Sequence, residues 1–132
     1  MVRGEGRILV MDDNESVRNV MARMLGWLGY HCDVSANGEE VEAMYEDSLR
    51  GDPPYDAVIL DLTLPGSEGG VQVLGRLRAI DPDVIALAVR GYSDDDVLAN
   101  PNHYGFSGRL RKPMSAAALS RELARVLDGP SG

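Results

Sequence analysis

Three unbroken apolar runs punctuate the chain: Ile8-Leu9-Val10-Met11, Ala57-Val58-Ile59-Leu60 and Val84–Val89. None alternates polar with apolar residues, so none reads as a strand with one wet face. Runs of this length suit central strands of a parallel sheet covered on both sides. Two weaker strands are expected at His31–Ser35 and Gly108–Arg111. Between the strands, apolar positions recur at helical spacing. Val17, Val20, Met21, Met24, Leu25 and Leu28 form one stripe, stopped by Gly29. Val41, Met44, Tyr45 and Leu49 form a second, with Asn37 as its N-cap and Glu40 three residues on. Val71, Leu74, Leu77 and Ile80 mark a third helix, closed by Asp81-Pro82. Ser115 caps a last helix bearing Leu119, Leu123, Val126 and Leu127. A short helix after Ser93 has little support, because Pro101 limits it.

The order is strand then helix, repeated. Alternation at these lengths predicts an α/β fold, an open parallel sheet with right-handed crossovers and helices on both faces. In such sheets ligands bind at the carboxyl ends of the strands. That edge collects Asp12-Asp13, Asp61, Arg90-Gly91 and Lys112-Pro113. Three carboxylates on one rim repel each other. A divalent cation and Lys112 would offset that repulsion. Oxygen ligands favour Mg2+, which keeps several waters and often joins one or two carboxylates to a phosphate. A lone Asp after a strand is usually a cap or loop residue, and Asp pairs are common in acidic chains. Four strand ends delivering three acids and a lysine outweigh that plain alternative.

Composition narrows the class. The chain has 132 residues, 44% of them apolar, which suits one domain with one real core. Its net charge of −8 argues against nucleic acid or an anionic membrane as a direct partner. Cys32 is the single cysteine, which excludes an internal disulfide or a cysteine metal cluster and favours a reducing, cytoplasmic setting. No apolar run approaches the roughly 18 residues that span a bilayer. The start, MVRGEGRILVM, lacks a signal peptide's apolar stretch. Gly4 and Gly6 in front and Gly129-Pro130-Ser131-Gly132 behind read as linkers. The expected division is a linker over 1–6, a domain over 7–127 and a tail over 128–132. Ends of this kind fit a piece of a longer protein.

Taken together, ILVMDDNESVRNV, AVILDLTLPGSEGG, AVRGYS and GRLRKPM resemble the receiver domain of two-component response regulators. They are most similar to receivers attached to hybrid sensor histidine kinases. The resemblance runs from about Arg7 to about Leu127. It implies a CheY-like, flavodoxin-like three-layer sandwich with five parallel strands in the order 2-1-3-4-5. It implies Asp61 as the phosphoacceptor, attacking a phosphohistidine on a histidine kinase or phosphotransfer domain. Asp12 and Asp13 would hold Mg2+, Asp13 directly and Asp12 through water. Asp61 and the Thr63 backbone carbonyl would complete the ligand set. Lys112 would pair with the phosphoryl group, ahead of a Lys112-Pro113 bond open to the cis form. Thr63 and Tyr92 would flank the site and tune acyl-phosphate lifetime. The face of the last two α/β units would meet partners, a homodimer among them. Such a domain catalyses its own phosphorylation and dephosphorylation rather than acting as a metabolic enzyme.

The chain also departs from that pattern. Receivers usually carry Ser or Thr at the end of the fourth strand, where this chain has Arg90, followed by Gly91. The aromatic residue three positions before the lysine is replaced by Arg109. Both halves of the usual switch are therefore altered, and output would rest on loop ordering instead. Arg90 admits three readings. Its guanidinium reaches Asp61 or the phosphoryl group; it points to solvent; or it blocks the pocket. The last would make a degenerate receiver that binds partners without phosphorylation. A further alternative is a phosphatase using Asp12 as nucleophile, whose usual Asp-x-Asp-Thr pattern is not met, because Asn14 follows the acid pair. His31 and His103 lack a second histidine at ligand spacing and read as structural. Trp27, Met21, Met24 and Met44 read as core from their helical spacing. Asp94-Asp95-Asp96 reads as a solvated loop or a first helical turn.

Overall fold

The computed structural model describes residues 5–51, 53–62, 69–90, 105–111 and 115–128. Within them the chain runs β1 (Arg7–Met11), α1 (Glu15–Trp27), β2 (His31–Ser35), α2 (Gly38–Arg50), β3 (Ala57–Asp61), α3 (Gly70–Ile80), β4 (Ala86–Arg90), β5 (Gly108–Arg111) and α4 (Ala116–Asp128). The strands form one parallel sheet in the order β2-β1-β3-β4-β5.

The unbroken apolar runs have a simple cause: both faces of the sheet are covered. Leu9, Met11, Val58, Leu60 and Ala88 pack on one side with Val41, Tyr45, Val73, Leu74 and Leu77 of α2 and α3. Ile8, Val10, Ile59, Leu87 and Val89 pack on the other with Met21, Leu25, Leu119 and Leu123 of α1 and α4. Alternate side chains of one strand thus feed two cores. A polar residue at either parity would be buried. The result is three layers, helix, sheet and helix. No helix among the described residues is long and apolar enough to cross a membrane.

The helix ends follow local chemistry. Asn37 Oδ1 accepts the Glu40 N–H at 2.8 Å, and Ser115 Oγ accepts the Ala118 N–H at 3.0 Å. After α1, Gly29 takes φ 105°, which favours glycine. Its N–H donates to the Gly26 carbonyl at 3.1 Å, and the Tyr30 N–H donates to Leu25 at 2.9 Å. Those two bonds close the last turn before β2.

Among the described residues, some large apolar side chains of the expected stripes stay outside the core. Val20, Trp27 and Leu49 are 52%, 61% and 41% exposed. Val20 follows Asn19 on the outer side of α1, while Met21, Leu25 and Leu28 face the sheet. Apolar spacing marks a broad stripe, and only packing decides which of its flanks is covered. Met21 is buried, and Met24 and Met44 are partly so. The fourth strand is displaced from the apolar run Val84–Val89. Its ladder begins where Ala86 meets Val58 and ends where Arg90 meets Arg111, so Arg90 belongs to the strand.

Candidate active site

β1 and β3 are neighbours, with Met11 level with Leu60. The next residue on each strand is an acid, Asp12 and Asp61, and Asp13 follows Asp12. One carboxylate oxygen from each of Asp12, Asp13 and Asp61 lies within 4.8 Å of the other two. Asp12 and Asp61 are each only 3% exposed, whereas Asp13 is exposed. The rim thus holds two buried acids with a third at its mouth. Like charges brought this close in partial burial favour an incoming cation.

Asp12 is braced from several directions. Its N–H donates to the Ser35 carbonyl at 3.0 Å, tying it to β2. Its Oδ1 accepts the Asn14 N–H at 2.9 Å. Its backbone carbonyl accepts from Arg18 Nη1 at 2.9 Å. Asn14 also caps α1, accepting the Val17 N–H on Oδ1 at 3.1 Å. The segment joining the acid pair to its helix is therefore a single hydrogen-bonded turn. Sequence reading missed Asn14 and Arg18 here. The signal for Asn14 was available, since Asn followed three residues later by a helical stripe is a cap pattern.

Asp61 is set by β3 and by close approach of α3. A Cβ added at Gly70 would lie 3.0 Å from the Asp61 carbonyl oxygen and 3.1 Å from Leu60 Cβ. One at Gly69 would lie 2.7 Å from the Leu62 carbonyl oxygen. At Gly69-Gly70 a helix start presses against the strand that carries Asp61.

The remaining expected site residues divide in two. Arg90 ends β4 level with Arg111 of β5. Arg109 is exposed on β5, and its backbone N–H donates to Glu122 Oε2 at 2.9 Å. Burial pushes the Glu122 carboxyl up. The Arg125 hydrogen bond, the Arg109 N–H and the two arginine charges outweigh it and hold that carboxyl below its ordinary value. Thr63, Gly91, Tyr92, Lys112 and the Lys112-Pro113 bond lie outside the described residues. So do the Arg90 side chain, His103, the segment after Ser93 and Asp94-Asp95-Asp96.

Other reactive groups are quiet. Burial, with Asp33 beside it, pushes the Cys32 thiol up to about 12, so it stays protonated at neutral pH. His31 is exposed, 3.5 Å from Asp33. Among the described residues, the acid triad is the one cluster of three His, Cys, Asp or Glu groups at metal-ligand spacing.

The triad suits a hard cation. Mg2+ binds oxygens at about 2.1 Å, so two on opposite sides of it stand roughly 4.2 Å apart. Three carboxylates spread over no more than 4.8 Å fit such an ion, with a contact made through water.

Fold and rim together define a class: a doubly wound α/β domain of CheY-like topology whose carboxyl edge gathers acids for a cation. The sequence pattern of the response regulator receiver domain matches residues 8–124. The chain belongs to that family, the phosphoacceptor domains of two-component signalling. It is 27% identical over 121 residues to sporulation initiation phosphotransferase F of Bacillus subtilis, covering 92% of this chain and 93% of that protein. It is 30% identical over 125 residues to the sensor kinase CckA of Brucella abortus, covering 95% of this chain and 13% of the kinase. Among solved structures, it resembles the receiver domain of a sensor histidine kinase from Pseudomonas aeruginosa, which has a magnesium ion coordinated in its active-site cleft. That match has TM-score 0.79 and 27% identity, covering 95% of this chain and 99% of the other. Other curated relatives are longer, and the chain spans between 15% and 51% of their length.

Proposed function

We propose that Asp61 accepts the phosphoryl group. In this reading Asp12, Asp13, Asp61 and the Thr63 carbonyl hold Mg2+, and Lys112 pairs with the phosphoryl oxygens. The observation that carries the reading is the convergence of the three carboxylates within 4.8 Å at the end of a fully buried strand. Phosphoryl transfer needs placement and charge neutralisation more than covalent machinery. Magnesium held by the triad would supply positive charge beside the incoming phosphoryl oxygens. β3, pinned between β1 and β4 and pressed by Gly70, keeps the Asp61 oxygen in line. An Asp61 oxygen forms a bond to phosphorus as the N–P bond of a donor phosphohistidine breaks. The bonding pair stays on the imidazole nitrogen, which takes a proton from solvent.

The donor in this reading is a histidine kinase or a phosphotransfer domain. Likeness to part of one sensor kinase and to the receiver domain of another supports a receiver over 7–127, flanked by 1–6 and 128–132, as one part of such a kinase. Arg90 stands one residue past the level of Asp61 on β4, a position that supports a resident cation for the phosphoryl group. It would take the place of the usual hydroxyl, and Arg109 that of the usual aromatic.

The test is intact-mass measurement after treatment with acetyl phosphate. A gain of one phosphoryl group is expected with Mg2+, with none in its absence and none in Asp61→Asn. A gain that persists in Asp61→Asn, or no gain in the native chain, overturns the assignment. In the same assay, Arg90→Ser is expected to change the rate or lifetime of the acyl phosphate. An unchanged value for both removes Arg90 from the mechanism.

A further inference from the structure

We infer that Arg18 is a positioning residue for the acid pocket, acting through the Asp12 carbonyl. The ladder of β1 ends at Met11, which pairs with Ser35 on one side and Leu60 on the other. Asp12 follows, with its N–H still bonded to the Ser35 carbonyl at 3.0 Å. Arg18, at the close of the first turn of α1, donates from Nη1 to the Asp12 carbonyl at 2.9 Å. Its own N–H bonds the Asn14 carbonyl at 3.0 Å, so the guanidinium projects from a helix already capped against the acid segment. The peptide unit is planar. Holding the Asp12 oxygen thus fixes the plane that carries the Asp13 N–H and Cα. Asp13 is the exposed member of the triad, and its direction depends most on that plane. A hydrogen bond from a cation is roughly twice as strong as a neutral one. Arg18 is partly buried, which keeps that bond from being freely exchanged with water. The inference rests on reading the triad as the cation and phosphoryl site, and one arm of its test does not.

The experiment uses the whole chain, native and as Arg18→Ala, Arg18→Met and Arg18→Lys. Arg23→Ala, exposed on the same helix, serves as control. Mg2+ affinity is read by titration calorimetry, and amide hydrogen exchange at Asp13 and Asn14 is read without metal. Arg18→Ala and Arg18→Met are expected to weaken Mg2+ about tenfold, the scale of outer partners in metal sites. Arg18→Lys, which keeps a charged donor, recovers most of that loss, and Arg23→Ala shows none. Exchange at Asp13 and Asn14 speeds up in the Ala and Met variants. Native Mg2+ affinity together with native exchange in Arg18→Met overturns the inference. Arg18→Met keeps the side chain's apolar stem, so it stands in if the alanine variant fails to fold. If the native chain itself does not bind Mg2+, the proposed function has failed. The exchange rates then decide on Arg18 alone: faster exchange upholds its positioning role and unchanged exchange ends it.

Discussion

Towards the amino-terminal edge of the sheet, Tyr55 before β3 and Arg7 at the start of β1 reach Asp33 in the middle of β2, the hydroxyl at 2.5 Å and the guanidinium at 3.4 Å. At the carboxyl-terminal edge, Asp12, Asp13 and Asp61 meet one another within 4.8 Å. Arg7 does more at its end: it lies 4.7 Å over the Tyr55 ring, donates to the Pro53 carbonyl, and gives its backbone N–H to Asp56 at 2.8 Å. Tyr45 stacks on Tyr55 at 6.3 Å and donates its hydroxyl to Asp81 at 2.6 Å. One edge matches Asp33, Asp56 and Asp81 to a hydroxyl, an N–H or a cation. The other gathers three acids at metal-ligand spacing. The first arrangement stabilises the fold; the second costs stability and gains affinity for a cation. An open groove of about 400 Å³ lined by Arg7, Met44, Asp47, Ser48, Gly51 and Tyr55 lies at the matched edge.

The contrast can be broken by substitution, and the largest effect belongs to Asp61. Asp61→Asn should abolish phosphorylation while leaving the fold intact, as read by intact mass and circular dichroism. Next comes Asp13→Asn, which should weaken Mg2+ by about ten- to a hundredfold by calorimetry. It should also raise the melting temperature of the metal-free chain, because one like charge is gone. A lowered melting temperature would mean that the triad is not a strained cluster. Arg7→Ala should do the reverse, costing about 1–2 kcal/mol in urea unfolding with phosphorylation unchanged. If phosphorylation falls with it, the two edges are coupled and the comparison fails.

The smallest effect is in alkali. Burial, then hydrogen bonds to Asp81 and Asp33, raise the Tyr45 and Tyr55 hydroxyls above their ordinary value of 10.0. The unfolded chain therefore loses these protons first. Stability holds below pH 10 and falls as pH climbs past it. Cys32 adds to the same trend from about pH 9, its ordinary value being 9.0. Unfolding free energy measured from pH 8 to 11 should slope downward. Tyr55→Phe should flatten the slope and cost about 1 kcal/mol at neutral pH. An unchanged slope would detach Tyr55 from Asp33.

Features carried by adjacent residues were readable before any coordinates. The runs at Ile8–Met11 and Ala57–Leu60, the Asn37 and Ser115 caps and the Gly29 stop each depend on a few neighbours in sequence. The acid triad was readable for a second reason: parallel strands deliver their carboxyl ends to one rim, so Asp12 and Asp61 had to approach. The exposure of Val20, Trp27 and Leu49 was not readable, because every flank of an apolar stripe looks alike until a neighbour covers it. The tight seat of Gly70 on Asp61 and the reach of Arg18 to Asp12 were equally hidden.

The amino-acid order by itself determined the alternation of strands and helices, the doubly covered sheet and the meeting of acids at one edge, since these follow from period, burial and chain direction. Only the tertiary structure decided how those acids are held and how the opposite edge is matched. Arg7 reaches Asp33 across 26 positions and Tyr55 reaches it across 22, contacts that exist only once β1 lies beside β2 and β3. Long side chains find partners by the geometry of packed elements, and no local pattern encodes that geometry.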